Sequence, residues 1–221
     1  MPHYDFRTPR VYLDAPLAAG LAVSFDRGQA NYLLNVLRLK PGDALLLFNG
    51  RDGEWQAQLA GTGKRAPSAV IDERMREQPR ASDLHFLFAP LKHARLDYLV
   101  QKAVEMGAAR LQPVITRHTQ VARLNLDRMR ANVIEAAQQC GILTLPEVAE
   151  PGTFKAVIGA AAGLPLAVLI GPEGGFAEEE RDALLKRPNL VRIALGPRIL
   201  RADTAAVAAL ALVQAVLGDW R

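Results

Sequence analysis

The chain has 221 residues, 50% hydrophobic and 23% charged, with one cysteine and a formal net charge of +4. That length and balance fit one or two globular domains with a sizeable core rather than a disordered chain. Cys140 has no partner for a disulfide and the four histidines are scattered, which excludes a disulfide framework and a Cys/His zinc cluster.

The mild positive charge permits a polyanionic partner without demonstrating one. The first residues lack the apolar stretch of a signal peptide, and no apolar run nears the ~20 residues that span a bilayer. A cytoplasmic protein with no membrane partner is expected.

Residues 1 to about 73 read as short strands separated by turns. Val11–Leu13 and Leu21–Phe25 are strand candidates. Asp26 can N-cap a helix whose apolar positions are Tyr32, Leu33, Val36 and Leu37. Asp43–Phe48 follows the turn signal Pro41-Gly42, and Asn49–Gly53 turns the chain into Glu54–Leu59; Ser68–Asp72 is a further strand. Strands of this kind suggest a small β-barrel. Glu73–Asp83 is polar and charged and carries Pro79, so a linker is expected there, with domains over 1–74 and 75–221.

The second half alternates strands and helices. Leu84–Ala89 is a buried-type strand. Leu96, Leu99, Val100, Ala103 and Val104 then form one helical face that ends at Gly107. Leu111–Ile115 reads as a strand, Asp127–Cys140 as a helix, Ala167–Ile170 as a strand, Ala177–Arg187 as a helix, Val191–Leu195 as a strand and Asp203–Leu217 as an alanine-rich helix. This order implies a mostly parallel sheet covered on both faces.

Two of these strands run into glycine-bearing loops, Gly171-Pro172-Glu173-Gly174-Gly175 and Gly196-Pro197-Arg198-Ile199-Leu200-Arg201. Loops at the carboxyl ends of parallel strands are where open α/β sheets bind ligands. Neither is a phosphate loop: GxxxxGK[ST] and GxGxxG are absent. Glu178-Glu179-Glu180 suit the positive end of a helix dipole but would repel a bound phosphate. A neutral or cationic ligand fits better, and S-adenosylmethionine, with its sulfonium, qualifies. Either loop alone is equally consistent with a tight turn that needs a glycine. Arg198 and Arg201 read either as guanidinium groups at a pocket mouth or as surface charges paired with Asp203 or a glutamate.

Taken together, the segment 171–175 followed by Leu195-Gly196-Pro197-Arg198-Ile199-Leu200-Arg201-Ala202-Asp203-Thr204-Ala205 is similar to the C-terminal signature of the RsmE family. These are 16S ribosomal RNA (uracil-N3)-methyltransferases of the SPOUT superfamily. Leu99–Gly107, Glu135–Gly141, and Tyr32–Leu39 with Gly42-Asp43 resemble further family segments, so the likeness spans nearly the whole chain. Asp203 stands where the family usually has glutamate, Gln138 where glutamate is common, Ile142 where arginine is frequent and Asn31 where histidine is usual.

The resemblance implies a small PUA-like β-barrel followed by a SPOUT-type α/β domain with a deep trefoil knot. It implies S-adenosylmethionine bound by Leu169, Ile170, Gly171, Pro172, Gly174 and Gly175, and by Leu195, Gly196, Pro197, Ile199 and Leu200, with residues 113–119 as a third wall. It further implies a homodimer and methylation at N3 of a specific uridine in the decoding region of 16S rRNA in the 30S subunit. The alanine face of the last helix (Ala205, Ala206, Ala208, Ala209, Ala211) serves either that dimer or ordinary packing. Arg198 and then Arg201 are the expected catalytic groups; no general base is evident, and the candidates Glu173, Asp203 and Glu105 are carboxylates of a kind more often structural than catalytic. Arg7, Arg10, Arg38, Lys92, Lys102 and Arg117 are the expected RNA contacts; no metal and no DNA partner are expected. His85 reads as a hydrogen-bonded core histidine, His118 as a residue near the cofactor wall, and Cys140 as buried and inert. Two other readings remain at this stage, a non-catalytic RNA-binding protein and a nucleotide-dependent α/β enzyme.

Overall fold

The computed structural model describes residues 7–61, 67–121 and 123–220. The chain divides into two compact units, Met1–Arg80 with Ala137–Thr144, and Ala81–Ala136 with Leu145–Arg221.

The first unit holds a five-stranded sheet of β1 (Arg10–Tyr12), β2 (Ala22–Ser24), β3 (Ala44–Phe48), β4 (Glu54–Gly61) and β5 (Ser68–Arg76), in the order β1-β3-β4-β5-β2. β1 lies parallel to β3 and the other pairs are antiparallel. Its core follows the period of two that a pleated strand imposes: Leu45 and Leu47, Ala57 and Leu59, Ala69 and Ile71 all point inward.

Asp26 starts α1 (Arg27–Asn31) through a reciprocal cap. Its Oδ1 accepts from the Gln29 N–H at 2.8 Å and the Gln29 Oε1 accepts from the Asp26 N–H at 3.0 Å. The helix then widens into a π turn, Tyr32–Val36. That widening turns the later side chains off the expected apolar face. Leu33 is fully buried, but Tyr32 and Val36 are exposed.

The expected linker begins inside β5. Its charge signalled solvent, yet two of its arginines have partners: the Arg74 guanidinium lies 5.8 Å from the centre of the Trp55 ring, and Arg76 donates to Glu54 at 2.7 and 2.8 Å. Irregular chain follows from Glu77 to Asp83.

The second unit runs β6 (Leu84–Phe88), α2 (His93–Glu105), β7 (Arg110–Ile115), α3 (Leu126–Cys140), β8 (Glu147–Val148), β9 (Gly152–Thr153), α4 (Phe154–Ala160), β10 (Leu166–Ile170), α5 (Glu178–Leu185) and α6 (Ala202–Val216). The sheet order is β10-β6-β7-β8, with β9 also on β7, and every pairing is parallel. The loops that follow β6, β7 and β10 therefore leave the same edge. The five apolar residues of the expected α2 face are all buried, and α6 packs against α2 and β10.

Val191–Leu195 is not a strand: it is irregular, with Val191 82% and Ile193 49% exposed. Strand preference reports a fit to a pleated, half-buried surface, and this segment pairs with no strand among the described residues. Ala206 and Ala209 of the alanine face are buried within the single chain, which is the packing role for that part of the stripe. Cys140 is exposed rather than buried, because it closes α3 on the solvent side. The His85 Nδ1 is buried without a hydrogen-bond partner among the described residues, against the expectation of a bonded core histidine. No helix among the described residues is long and apolar enough to cross a membrane.

Candidate active site

β10 delivers Leu169 and Ile170, both half-buried, to the edge of the sheet, where the chain turns through Gly171–Gly175. Glycine at 171 has a steric cause: a Cβ there would lie 2.8 Å from the Phe176 ring, which packs against Phe154 with ring centroids 5.9 Å apart. Gly175 has φ +73°, a left-handed conformation that side chains resist.

The segment after β7 closes on this loop. The His118 Nδ1 lies 3.1 Å from the Gly175 carbonyl oxygen. The Glu180 carboxylate accepts from the Arg117 N–H at 2.8 Å and from the Ala177 N–H at 3.0 Å, so one side chain caps α5 and pins residue 117.

The second glycine segment leads into α6. Leu195 and Leu200 are half-buried; Gly196, Pro197, Arg198 and Arg201 are exposed, and Ile199 is fully exposed. Arg201 takes the N-cap position of α6, and its side chain makes no cap hydrogen bond. Asp203 sits in the first turn and is committed elsewhere.

The residue that joins the two segments is Arg95 in α2, which sequence reasoning did not single out. Its Nε and Nη2 donate to the Asp203 carboxylate at 3.1 and 2.9 Å, and its Nη1 donates to Glu173. One guanidinium therefore holds the glycine loop after β10 and the start of α6 together. The hydrogen bonds from Arg95 keep the Asp203 carboxyl below the usual carboxylate range, and those carboxylates push the Arg95 guanidinium further up. The signal available in the sequence was an arginine on the polar side of a strongly amphipathic helix that begins at the ligand edge of the sheet.

The carboxylates considered as bases are all engaged. Glu173 and Asp203 pair with Arg95, and Glu105 takes both its oxygens to Lys102 Nζ at 2.7 Å. Among the expected RNA contacts, Arg7, Arg38, Lys92 and Arg117 are exposed. Arg38 holds φ +57°, an uncommon conformation for a residue with a side chain.

Arg10 and Lys102 are not presented to a phosphate. The Arg10 side chain is 7% exposed and donates to Glu54 Oε1 at 2.5 Å. Lys102 is held by Glu105 and lies 5.5 Å from the centre of the Tyr98 ring. The departure at Gln138 serves the first unit: its Oε1 accepts from the Tyr12 N–H at 2.8 Å and its carbonyl from Arg10 at 3.3 Å. No group of three or more metal-ligating side chains occurs among the described residues.

With this geometry in view, two family descriptions match the chain. The RNA methyltransferase domain matches residues 77–164 and 159–214, and the RNA methyltransferase PUA domain matches residues 25–72. An RNA methyltransferase domain preceded by a PUA domain is thus the class that fold and site define.

Ribosomal RNA small subunit methyltransferase E of Rickettsia conorii is 30% identical over 230 residues, covering 93% of this chain and 94% of that protein. The chain belongs to the ribosomal RNA small subunit methyltransferase E family. A Legionella pneumophila methyltransferase solved with bound S-adenosylmethionine superimposes with TM-score 0.86 at 27% identity, over 95% of this chain and 98% of that one. The corresponding Neisseria gonorrhoeae enzyme, also bound to S-adenosylmethionine, gives TM-score 0.85 at 28% identity, over 97% of this chain and 100% of that one.

Proposed function

We propose that this chain methylates N3 of a uridine in the decoding region of 16S rRNA, on the 30S subunit, using S-adenosylmethionine and giving 3-methyluridine. The observation that carries the reading is the Arg95 bridge, which ties the glycine loop after β10 to the start of α6, just past the second glycine segment, in a chain of this family. The residues fit the cofactor. Their backbone groups suit an uncharged adenosine, and Glu178, Glu179 and Glu180 favour a sulfonium over a phosphate. Leu169–Gly175 and Leu195–Leu200 are assigned to hold it.

When bound, S-adenosylmethionine supplies an electrophilic methyl group. The chain must then make uracil N3 nucleophilic, since N3 carries a proton at neutral pH. Negative charge that develops on deprotonation spreads to O2 and O4. The exposed Arg198 guanidinium is assigned to face those oxygens, lowering the uracil pKa and the barrier together, with Arg201 in support. Carboxylates locked in ion pairs do not take the proton readily, so stabilising the uracil anion and aligning it carry the mechanism. N3 lies on the pairing edge of uracil, so the target base is unpaired or extruded, at a cost of a few kcal/mol offset by grip elsewhere on the RNA.

The accompanying architecture is a PUA-like β-barrel and a SPOUT domain with a deep trefoil knot, assembled as a cytoplasmic homodimer. Exposed Leu212, Val216, Leu217 and Trp220 on and after α6 are consistent with a covered surface there.

Arg198→Ala tests the mechanism. Its kcat falls by about a hundredfold while S-adenosylmethionine affinity is unchanged, as for removal of one charge-stabilising donor. An unchanged kcat removes Arg198 from the chemistry. In thermal unfolding, S-adenosylhomocysteine raises Tm and ATP does not, because only a ligand of the native state stabilises it; the reverse pattern favours the nucleotide-enzyme reading.

A further inference from the structure

A second concavity opens at the same edge of the sheet as the glycine loops. The chain after β6, the first turns of α2 and α3 and residues 120, 121 and 123–125 enclose a cleft of about 460 Å³, within the roughly 300–1,000 Å³ range of small-molecule pockets. Leu91, Leu96 and Met129 form its buried floor, and Lys92, Arg123 and Arg128 stand at its rim.

The charge is one-sided. Asp97 is the carboxylate in the lining, and it is already engaged: Arg128 donates to it at 2.6 and 3.0 Å and Asn132 at 2.8 Å. The ammonium of Lys92 and the guanidinium of Arg123 are exposed and in no ion pair among the described residues. Across the edge, the start of α5 carries Glu178, Glu179 and Glu180. A polyanion is therefore repelled from the α5 side and drawn to the cleft side.

We infer that this cleft holds one nucleotide of a single RNA strand, a neighbour of the nucleotide that is methylated. Its phosphate lies on Lys92 and Arg123, and its base lies against the apolar floor with the Arg123 guanidinium over it. The inference rests on the RNA-methyltransferase reading and adds a site to it. An apolar floor beneath unpaired cations is the chemistry of a nucleotide, which presents a flat base and an anion together. An uncharged ligand would leave the two rim cations without use, and an acidic peptide would leave the floor without use.

The test uses the full chain and 30S subunits from a strain without its homologue. The double variant Lys92→Glu with Arg123→Glu alters exposed residues and is expected to fold. Its kcat/KM for 30S falls by about tenfold or more, while its affinity for S-adenosylmethionine is unchanged. The slope of log affinity for 30S against log salt becomes shallower by about 0.7, the loss of one phosphate contact on a single strand. A photo-crosslinking amino acid at Leu124, in the lining, joins to 16S rRNA.

An unchanged KM and salt slope with no RNA crosslink, in the presence of an active wild type, overturns the site. A crosslink to ribosomal protein alone overturns it as well. A wild type that modifies no RNA counts against the function reading instead, and the crosslink then still decides whether the cleft meets RNA.

Discussion

Arg95 does more for the site than its place on a helix surface suggests. Losing it leaves Glu173 and Asp203 side by side without their shared cation, so the two glycine segments separate. Arg95→Ala therefore weakens S-adenosylmethionine binding by about tenfold, or ~1.4 kcal/mol, measured by titration calorimetry on a variant whose fold is checked by circular dichroism. Arg95→Lys keeps the charge but not the fork that spans two carboxylates, and recovers only part of the affinity. Wild-type affinity in Arg95→Ala would contradict this role.

Glu54 offers a second residue-scale test. Burial opposes its ionised form, but hydrogen bonds from Arg76 and Arg10 outweigh that and lower its pKa. The stability it contributes is complete above the unfolded value of about 4.3 and is lost as pH falls through the lower folded value. Glu54→Gln should be about 3 kcal/mol less stable at neutral pH, because it leaves two largely buried guanidinium groups short of their anion. In denaturant titrations the gap to wild type narrows as pH falls below the unfolded value and closes only once pH has passed the lower folded value; a gap constant with pH would show that the charge is irrelevant. This buried role was not legible in the sequence. Arg10 reads as a surface cation until the fold sets β1 near β4 and β5.

At the scale of elements, legibility followed the length of the pattern. The α2 face repeats over five positions and is buried as its spacing requires, and Asp26 caps α1 as expected, with Gln29 as a partner that the sequence reading did not name. β8 and β9 have two residues each and no periodicity to read. α4 went unseen although Thr153 caps it, accepting from the Ala156 N–H at 3.4 Å. Val191–Leu195 shows the opposite failure, a strand-like composition with no strand to meet. Segment 191–200 carries few buried contacts, so its amides exchange rapidly in the free protein. Bound S-adenosylhomocysteine orders the segment and slows that exchange, as read by mass spectrometry. Exchange at 191–200 that ignores the ligand would contradict its assignment as a cofactor wall.

For the whole molecule, a net charge of +4 is small against ribosomal RNA, and what matters is where the charge lies. Within the second unit three acids stand together at the start of α5, while Lys92 and Arg123, in no ion pair among the described residues, line the cleft. Composition could report the total but not this separation, which arises only when parallel strands bring three loops to one edge. The central claim is the reaction itself. The purified chain would be incubated with methyl-labelled S-adenosylmethionine and, in parallel, naked 16S RNA, 30S subunits and 50S subunits from a strain lacking its homologue. The RNA would then be digested and its nucleosides resolved by mass spectrometry. Label is expected in 3-methyluridine, from 30S and not from 50S. Label in any other nucleoside, or none in 30S despite intact cofactor binding, would contradict that claim.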